Sequence, residues 1–190
     1  MKKRLFIAID ISDEVRRTVA HYIEELSYRF PVTLVKWERP EKLHLTLKFL
    51  GSIDEALVNR VCEVVQRNPA KTPTFTIEIS GTGAFPSSKS PRVLWLGVNE
   101  PTGNLKTLAQ SLNTDCENVG FEAENRPFKP HLTLARIREP RHAGELGEAH
   151  AKNSFGPIRF TCDELVLYES QLGPGSSKYL KLMTAKFGVS

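Results

Sequence analysis

The sequence predicts an α+β protein of two pseudo-symmetric lobes, each an antiparallel sheet with helices on its outer face, and an active-site cleft between them. Three observations lead there. One phrase occurs twice, as Arg39-Pro40-Glu41-Lys42-Leu43-His44-Leu45-Thr46-Leu47 and as Arg126-Pro127-Phe128-Lys129-Pro130-His131-Leu132-Thr133-Leu134, offset by 87 positions (131 − 44). The core of each copy, His-Leu-Thr-Leu, alternates polar and apolar residues as a half-buried strand does, because successive side chains leave a strand on opposite faces. A similar succession of strand-period and helix-period segments surrounds both copies. Residues 1–190 are therefore expected to form a single bilobal domain whose internal repeat is centred on 43–50 and 130–137.

Taken in order, residues 4–10 alternate into a strand, and Ser12 reads as the N-cap of an amphipathic helix to about Arg29, with Val15, Val19, Ile23 and Leu26 at helical spacing and Pro31 as its stop. A short strand at 35–37 leads to the first motif strand, 43–50, which Gly51 is expected to end. Asp54 can cap a helix carrying Leu57, Val61, Val64 and Val65, and residues 75–85 alternate as a long strand. The scheme then restarts with a strand at 93–98, a helix from about 103 to 118 and the second motif strand. A weaker helix is expected within 141–152. Strands follow at 158–168 and 179–187, separated by the Gly-Pro-Gly-Ser-Ser turn at 173–177. Each half thus reads strand, helix, motif strand, helix, strand, and each half is expected to build one lobe.

With 190 residues of which 40% are hydrophobic, the chain can bury an ordinary core, so disorder is excluded. Its apolar runs are strand-sized, and the start meets a charge at Asp10, too early for a secretory segment or membrane span. A cytoplasmic protein with no membrane association is expected, with monomer as the default. Cys62, Cys116 and Cys162 are widely spaced and read as reduced structural thiols. The net charge of +4 is compatible with an anionic partner such as nucleic acid or a phosphate ester. The polar, basic segment 87–92 reads as a solvated connector, or else as a lip on substrate phosphate.

Parity places His44 beside Thr46 and His131 beside Thr133. A shuffled chain of this composition would hold His-Leu-Thr-Leu about 0.004 times, so two copies are not accidental. Two facing imidazoles can serve as base and acid in one displacement, one deprotonating the attacking hydroxyl and the other protonating the leaving oxygen. Two hydroxyls can hold the non-bridging oxygens of a phosphoryl group, so the parts suit phosphodiester chemistry with no cofactor and no metal. A metal reading would recruit His142 or His150 as a third ligand, but no metal-binding spacing is present. Lys48 shares the parity of His44 and is a candidate substrate-binding cation. Arg136 falls on the leucine face by strict alternation, unless a twist or bulge brings it round. Trp37, Phe49, Phe128 and Tyr168 are candidates to stack on a base.

With these motifs the sequence resembles the two-histidine (2H) phosphoesterases, specifically their RNA 2′,3′-cyclic phosphodiesterase branch, also called 2′-5′ RNA ligase or LigT-like. The resemblance extends to Arg4-Leu-Phe-Ile-Ala-Ile9, Trp37, His44-Leu-Thr-Leu-Lys-Phe-Leu-Gly51, Gly83-Ala-Phe-Pro86, Arg92-Val-Leu-Trp-Leu-Gly97, Pro130-His-Leu-Thr-Leu-Ala-Arg136 and Leu167-Tyr-Glu-Ser170. It implies hydrolysis of RNA 2′,3′-cyclic phosphate ends to 2′-phosphates, with His44 as proton donor, His131 as proton acceptor, Thr46 and Thr133 on the phosphate, and Arg136 as a further phosphate ligand. It also implies the same displacement with a 5′-hydroxyl replacing water, reversibly joining RNA ends through a 2′-5′ linkage. From this chain alone acid and base are interchangeable. A non-catalytic module that binds an RNA end or nucleotide, and a phosphodiesterase for another small cyclic phosphate, remain the rival readings.

Overall fold

The computed structural model describes residues 2–30, 35–173 and 177–188, with the side chain of His142 outside the described part. Among these residues nine strands form two antiparallel sheets. One, here sheet A, has the order β3-β1-β8-β9, with β1 (Lys2–Asp10), β3 (His44–Asp54), β8 (Glu164–Gln171) and β9 (Lys178–Lys186). The other, sheet B, has the order β2-β6-β5-β4-β7, with β2 (Val35–Trp37), β4 (Phe75–Phe85), β5 (Val93–Asn99), β6 (His131–Ile137) and β7 (Ile158–Cys162). Helices α2 (Val58–Arg67) and α3 (Asn104–Asn118) pack on sheet A; α1 (Asp13–Arg29) and α4 (Gly144–Lys152) pack on sheet B. Each sheet thus buries one face under a helix pair and keeps the other for the site.

The lobes are not the two halves of the chain. The third strand of each half crosses over: β4 pairs with β5 in sheet B, and β8 pairs with β1 in sheet A. The apolar run expected as one strand over 158–168 is likewise two strands broken at Asp163, β7 in sheet B and β8 in sheet A. Periodicity reports which residues face a core, not which sheet supplies it, so the exchange leaves no trace in the pattern. Its consequence is a single core in which Ile7 of β1, Val64 of α2, Leu96 of β5 and Leu132 of β6 are all fully buried in one cluster.

Local chemistry accounts for most boundaries. Ser12 Oγ accepts the Val15 amide at 3.3 Å and opens α1. Gly51 does not end the first motif strand: at φ +72° it lies inside β3, which runs on to Asp54. Single 3₁₀ turns at Glu55–Leu57 and Pro140–His142 precede α2 and α4, so both helices start later than expected. Pro31 and residues 174–176 of the expected 173–177 turn lie outside the described residues.

The feature that matters most for the site is a bulge repeated in both motif strands. In β3, Ala8 pairs with Thr46 but Ile7 pairs with Lys48, leaving Leu47 as an extra residue. In β6, Trp95 pairs with Thr133 but Leu94 pairs with Ala135, leaving Leu134 extra. Two consecutive residues are buried at each bulge, Leu47 with Lys48 and Leu134 with Ala135, and parity inverts beyond it.

With a shared core the two lobes are expected to unfold as one cooperative unit. Ile7→Ala in sheet A and Leu96→Ala in sheet B are each expected to lower stability by about 2–5 kcal/mol through lost burial and residual cavity. Both losses should appear in one denaturant transition that far- and near-ultraviolet circular dichroism report coincidentally; two separable transitions would contradict a shared core.

Candidate active site

The two motif strands come together where the sheets meet, β3 against β6. His44 and Thr46 lie on the uncovered face of sheet A, and His131 and Thr133 on that of sheet B, all half-buried. The ring orientation is the same in both copies. His44 Nδ1 donates to the Lys42 carbonyl at 2.6 Å, and His131 Nδ1 donates to the Lys129 carbonyl at 2.7 Å. A carbonyl only accepts, so Nδ1 carries hydrogen in each neutral ring and Nε2 is left for chemistry. His44 Nε2 has Thr46 Oγ1 at 3.0 Å. Arg16 of α1 fixes the lead-in to the first motif by donating to the carbonyls of Pro40 and Leu43, at 2.5 and 3.3 Å.

The surroundings of the two imidazoles differ. His44 stacks on Phe6 (centroids 4.8 Å) and meets the edge of Tyr179 (5.4 Å), with Tyr168 at 6.1 Å. Asp10 is directly opposite His44 in β1; it accepts from the Tyr168 hydroxyl and lies 2.6 Å from Lys181 Nζ. His131 meets the edges of Phe85 (5.2 Å) and Trp95 (6.4 Å), and its partner in β5 is Gly97. A carboxylate therefore stands beside the first histidine and a glycine beside the second. The Trp95 ring occupies the space above Gly83, where an added Cβ would lie 2.1 Å from it.

Burial drives the His44 pKa down to about 4; the Lys42 carbonyl and the Asp10 carboxylate pull it back up, while Arg16 and Arg136 lower it further. The charge of Arg136, on sheet B, acts to lower the pKa of both His44 and Tyr179, on sheet A. Burial, then the bond to Asp10, raises the Tyr168 phenol, so it stays a donor at neutral pH.

The bulges decide the remaining candidates. Past Leu134, Arg136 emerges on the same face as His131 and Thr133, largely exposed, with Nε 3.8 Å from Glu38 Oε1. The same inversion removes Lys48. It is 5% exposed on the core side of β3, where Nζ donates to Asn113 Oδ1 at 2.6 Å and to the Glu122 carbonyl at 2.7 Å. Lys48 is therefore corrected from a substrate cation to a buried tether of the segment before the second motif. Its place on the cleft face is taken by Phe49, 61% exposed. Trp37 and Phe128 pack against the core. His150 is buried in α4 on the covered side of sheet B, its ring held between the Tyr22 hydroxyl at 2.9 Å and the Trp95 carbonyl at 3.1 Å; the His142 side chain lies outside the described residues. Sequence reasoning missed Phe6 and Asp10, although alternation along β1 aligns them with Arg4 and Ala8. It also missed Tyr179, Phe85 and Trp95, which reach the site only through strand order.

A nitrogen NMR titration of the free protein should find His44 Nε2 taking up its proton near pH 4 rather than near 6.5. Because the folded value lies below the unfolded one, acidification from about 6.5 to about 4 favours the unfolded chain at this residue, and His44→Ala should weaken that part of the acid sensitivity. A bound phosphate ester should move the midpoint upward.

Residues 15–174 match the family model described as the 2′-5′ RNA ligase superfamily. An RNA 2′,3′-cyclic phosphodiesterase of Thermotoga maritima is 35% identical, over 97% of this chain and 95% of that protein. One of Archaeoglobus fulgidus is 38% identical over 82% of this chain and 85% of its own length. Among solved structures, Escherichia coli LigT complexed with 3′-AMP superposes with a TM-score of 0.78 at 28% identity, over 98% of this chain and 99% of that one. A Thermus thermophilus protein superposes with a TM-score of 0.82 at 26% identity, over 98% of both. With the motif model spanning most of the chain and full-length relatives above 30% identity, this chain belongs to the 2′-5′ RNA ligase superfamily, the 2H phosphoesterases.

Proposed function

We propose that the protein is an RNA 2′,3′-cyclic phosphodiesterase that hydrolyses cyclic phosphate ends to 2′-phosphates by paired-histidine acid-base catalysis. The observation that carries this reading is the pair of like-oriented imidazoles, one per lobe, each with Nδ1 spent on a backbone carbonyl and Nε2 directed away from the backbone, that of His44 to the Thr46 hydroxyl. The relatives named above bear that activity in their names.

His131 Nε2 accepts a proton from water as the water oxygen bonds to phosphorus. The bond from phosphorus to the 3′-oxygen breaks, and His44 Nε2–H supplies the proton to that oxygen, leaving a 2′-phosphate and a 3′-hydroxyl. Thr46 and Thr133 donate to the non-bridging oxygens, and Arg136 adds its charge from the cleft face of sheet B. The Asp10–Gly97 difference supports this direction: a carboxylate opposite His44 favours the protonated ring there, and a glycine opposite His131 does not. A bound phosphodiester anion acts with Asp10 against the burial that keeps His44 neutral in the free protein. With an RNA 5′-hydroxyl in place of water as the nucleophile, the same step joins RNA ends through a 2′-5′ linkage, and its reverse cleaves that linkage to a cyclic phosphate and a 5′-hydroxyl. The same reading takes residues 1–190 as one bilobal domain working as a cytoplasmic monomer, without metal or cofactor; among the described residues no helix is long and apolar enough to cross a membrane.

A short RNA ending in a 2′,3′-cyclic phosphate should be converted to a 2′-phosphate, with turnover undiminished by excess chelator. His44→Ala and His131→Ala should each reduce it by roughly 100-fold or more. Tight binding of the RNA end with no turnover would make the cleft a binding module instead, and loss to chelator restored by zinc or manganese would overturn the metal-free step.

A further inference from the structure

The lead-ins to the two motif strands are built differently, and one residue accounts for much of the difference. Ahead of His44, Pro40–Lys42 form a 3₁₀ turn closed by main-chain bonds, from the Lys42 amide to the Arg39 carbonyl at 2.8 Å and from the Leu43 amide to the Pro40 carbonyl at 3.2 Å. Ahead of His131, the place of Leu43 is taken by Pro130 (43 + 87), which has no N–H, so the bond that Leu43 makes has no counterpart. Residues 121–130 form neither helix nor strand, and among the described residues no main-chain group of 122–130 bonds to another main-chain group. A segment without a ladder of its own takes its position from side chains.

Those side chains come from elsewhere in the fold. Lys48, on the core side of β3, donates to the Glu122 carbonyl at 2.7 Å and to Asn113 Oδ1 at 2.6 Å. Asn113, on α3, holds both main-chain groups of Glu124: its Oδ1 accepts the Glu124 amide at 2.8 Å, and its Nδ2 donates to the Glu124 carbonyl at 3.3 Å. The Glu124 carboxylate in turn accepts the Arg126 amide at 3.1 Å and its guanidinium at 2.8 and 2.9 Å. Phe128 then packs on the core, and the next carbonyl, that of Lys129, accepts from His131 Nδ1 at 2.7 Å. Anchors thus fall at 122, 124, 126, 128 and 129, leading from the first motif strand to the imidazole of the second.

The Lys129 carbonyl decides which nitrogen of His131 carries hydrogen. Held in place, it keeps Nδ1 as the donor and leaves Nε2 to accept a proton. Displaced, it lets hydrogen reside on Nε2, which then offers a donor where the reaction needs an acceptor. Resting on the phosphodiesterase reading above for its consequence in turnover, we infer that Lys48 and Asn113 act together as a positioning clamp for His131, through which the first motif strand sets the tautomer of the second motif's imidazole. Lys48 is a positioning residue and acts only through the segment it holds.

The test reads both imidazoles by nitrogen NMR, and turnover of a short RNA ending in a 2′,3′-cyclic phosphate, in the unmodified protein and in Lys48→Met, which keeps an unbranched apolar stem in the core and removes the donors. In the unmodified protein both neutral rings should hold hydrogen on Nδ1. Lys48→Met should move His131 towards the Nε2–H form and leave His44 unchanged, while kcat falls about tenfold or more and KM stays within about twofold. Asn113→Ala, which opens the clamp from α3, should do the same, and the two changes combined should cost little more than either alone. Should Lys48→Met not fold, Asn113→Ala decides by the same readings. A His131 ring that keeps hydrogen on Nδ1 in a folded variant, or a disturbance that falls equally on His44, overturns the clamp while leaving the phosphodiesterase reading intact. Absence of turnover by the unmodified protein overturns the phosphodiesterase reading, and the ring measurements still decide the clamp.

Discussion

A bulge at the same place in each motif strand, just past the His-Leu-Thr core, sets what the cleft contains. Side chains alternate along a strand, so a bulge at Leu47 and another at Leu134 send the residues that follow to the opposite face, in β3 as far as a second bulge at Leu50. On sheet A this withdraws Lys48 into the core and presents Phe49; on sheet B it buries Ala135 and presents Arg136. The imidazole and hydroxyl before each bulge keep their parity. The bulge also gives a buried lysine a structural use, since Lys48 Nζ binds the carbonyl of Glu122 and so ties the first motif strand to the segment that leads into the second. A buried ammonium is costly unless its donors are satisfied, and Asn113 Oδ1 with the Glu122 carbonyl satisfies two of them.

Within that frame the repeat is symmetric where tautomers are set and asymmetric where protons are loaded. Both rings lock Nδ1–H onto the carbonyl two residues earlier. Only His44 has a carboxylate opposite it, and only His44 is packed among three aromatic rings. Burial and Asp10 oppose each other, with burial prevailing in the free protein. On the proposed mechanism an anionic substrate adds to the Asp10 side of that balance, which would couple protonation of His44 to occupancy of the cleft.

Much of this was legible in the chain. Alternation through His-Leu-Thr-Leu gave the faces of His44, Thr46, His131 and Thr133, and turn and cap residues gave most elements within a few positions. Lys48 was misplaced because a bulge has no reliable mark in one sequence: Leu-Lys-Phe reads as continued alternation until the pairing with Ile7 is known. The assignment of each lobe to one half of the chain failed for a related reason, because β4 and β8 exchange sheets without changing their own apolar patterns. Phe6 and Asp10 could have been found by extending parity to β1. Tyr179 could not, since it reaches His44 only through the order β3-β1-β8-β9.

The central claim is a division of labour, with the proton donor on sheet A and the acceptor on sheet B. It is tested most directly with an RNA end in which the 3′-bridging oxygen of the cyclic phosphate is replaced by sulfur, because a thiolate leaves without protonation. His44→Ala should then recover most of the activity it loses on the oxygen substrate, while His131→Ala stays impaired on both. Recovery by His131→Ala instead would reverse the roles, and recovery by neither would contradict acid catalysis of the leaving group by either histidine.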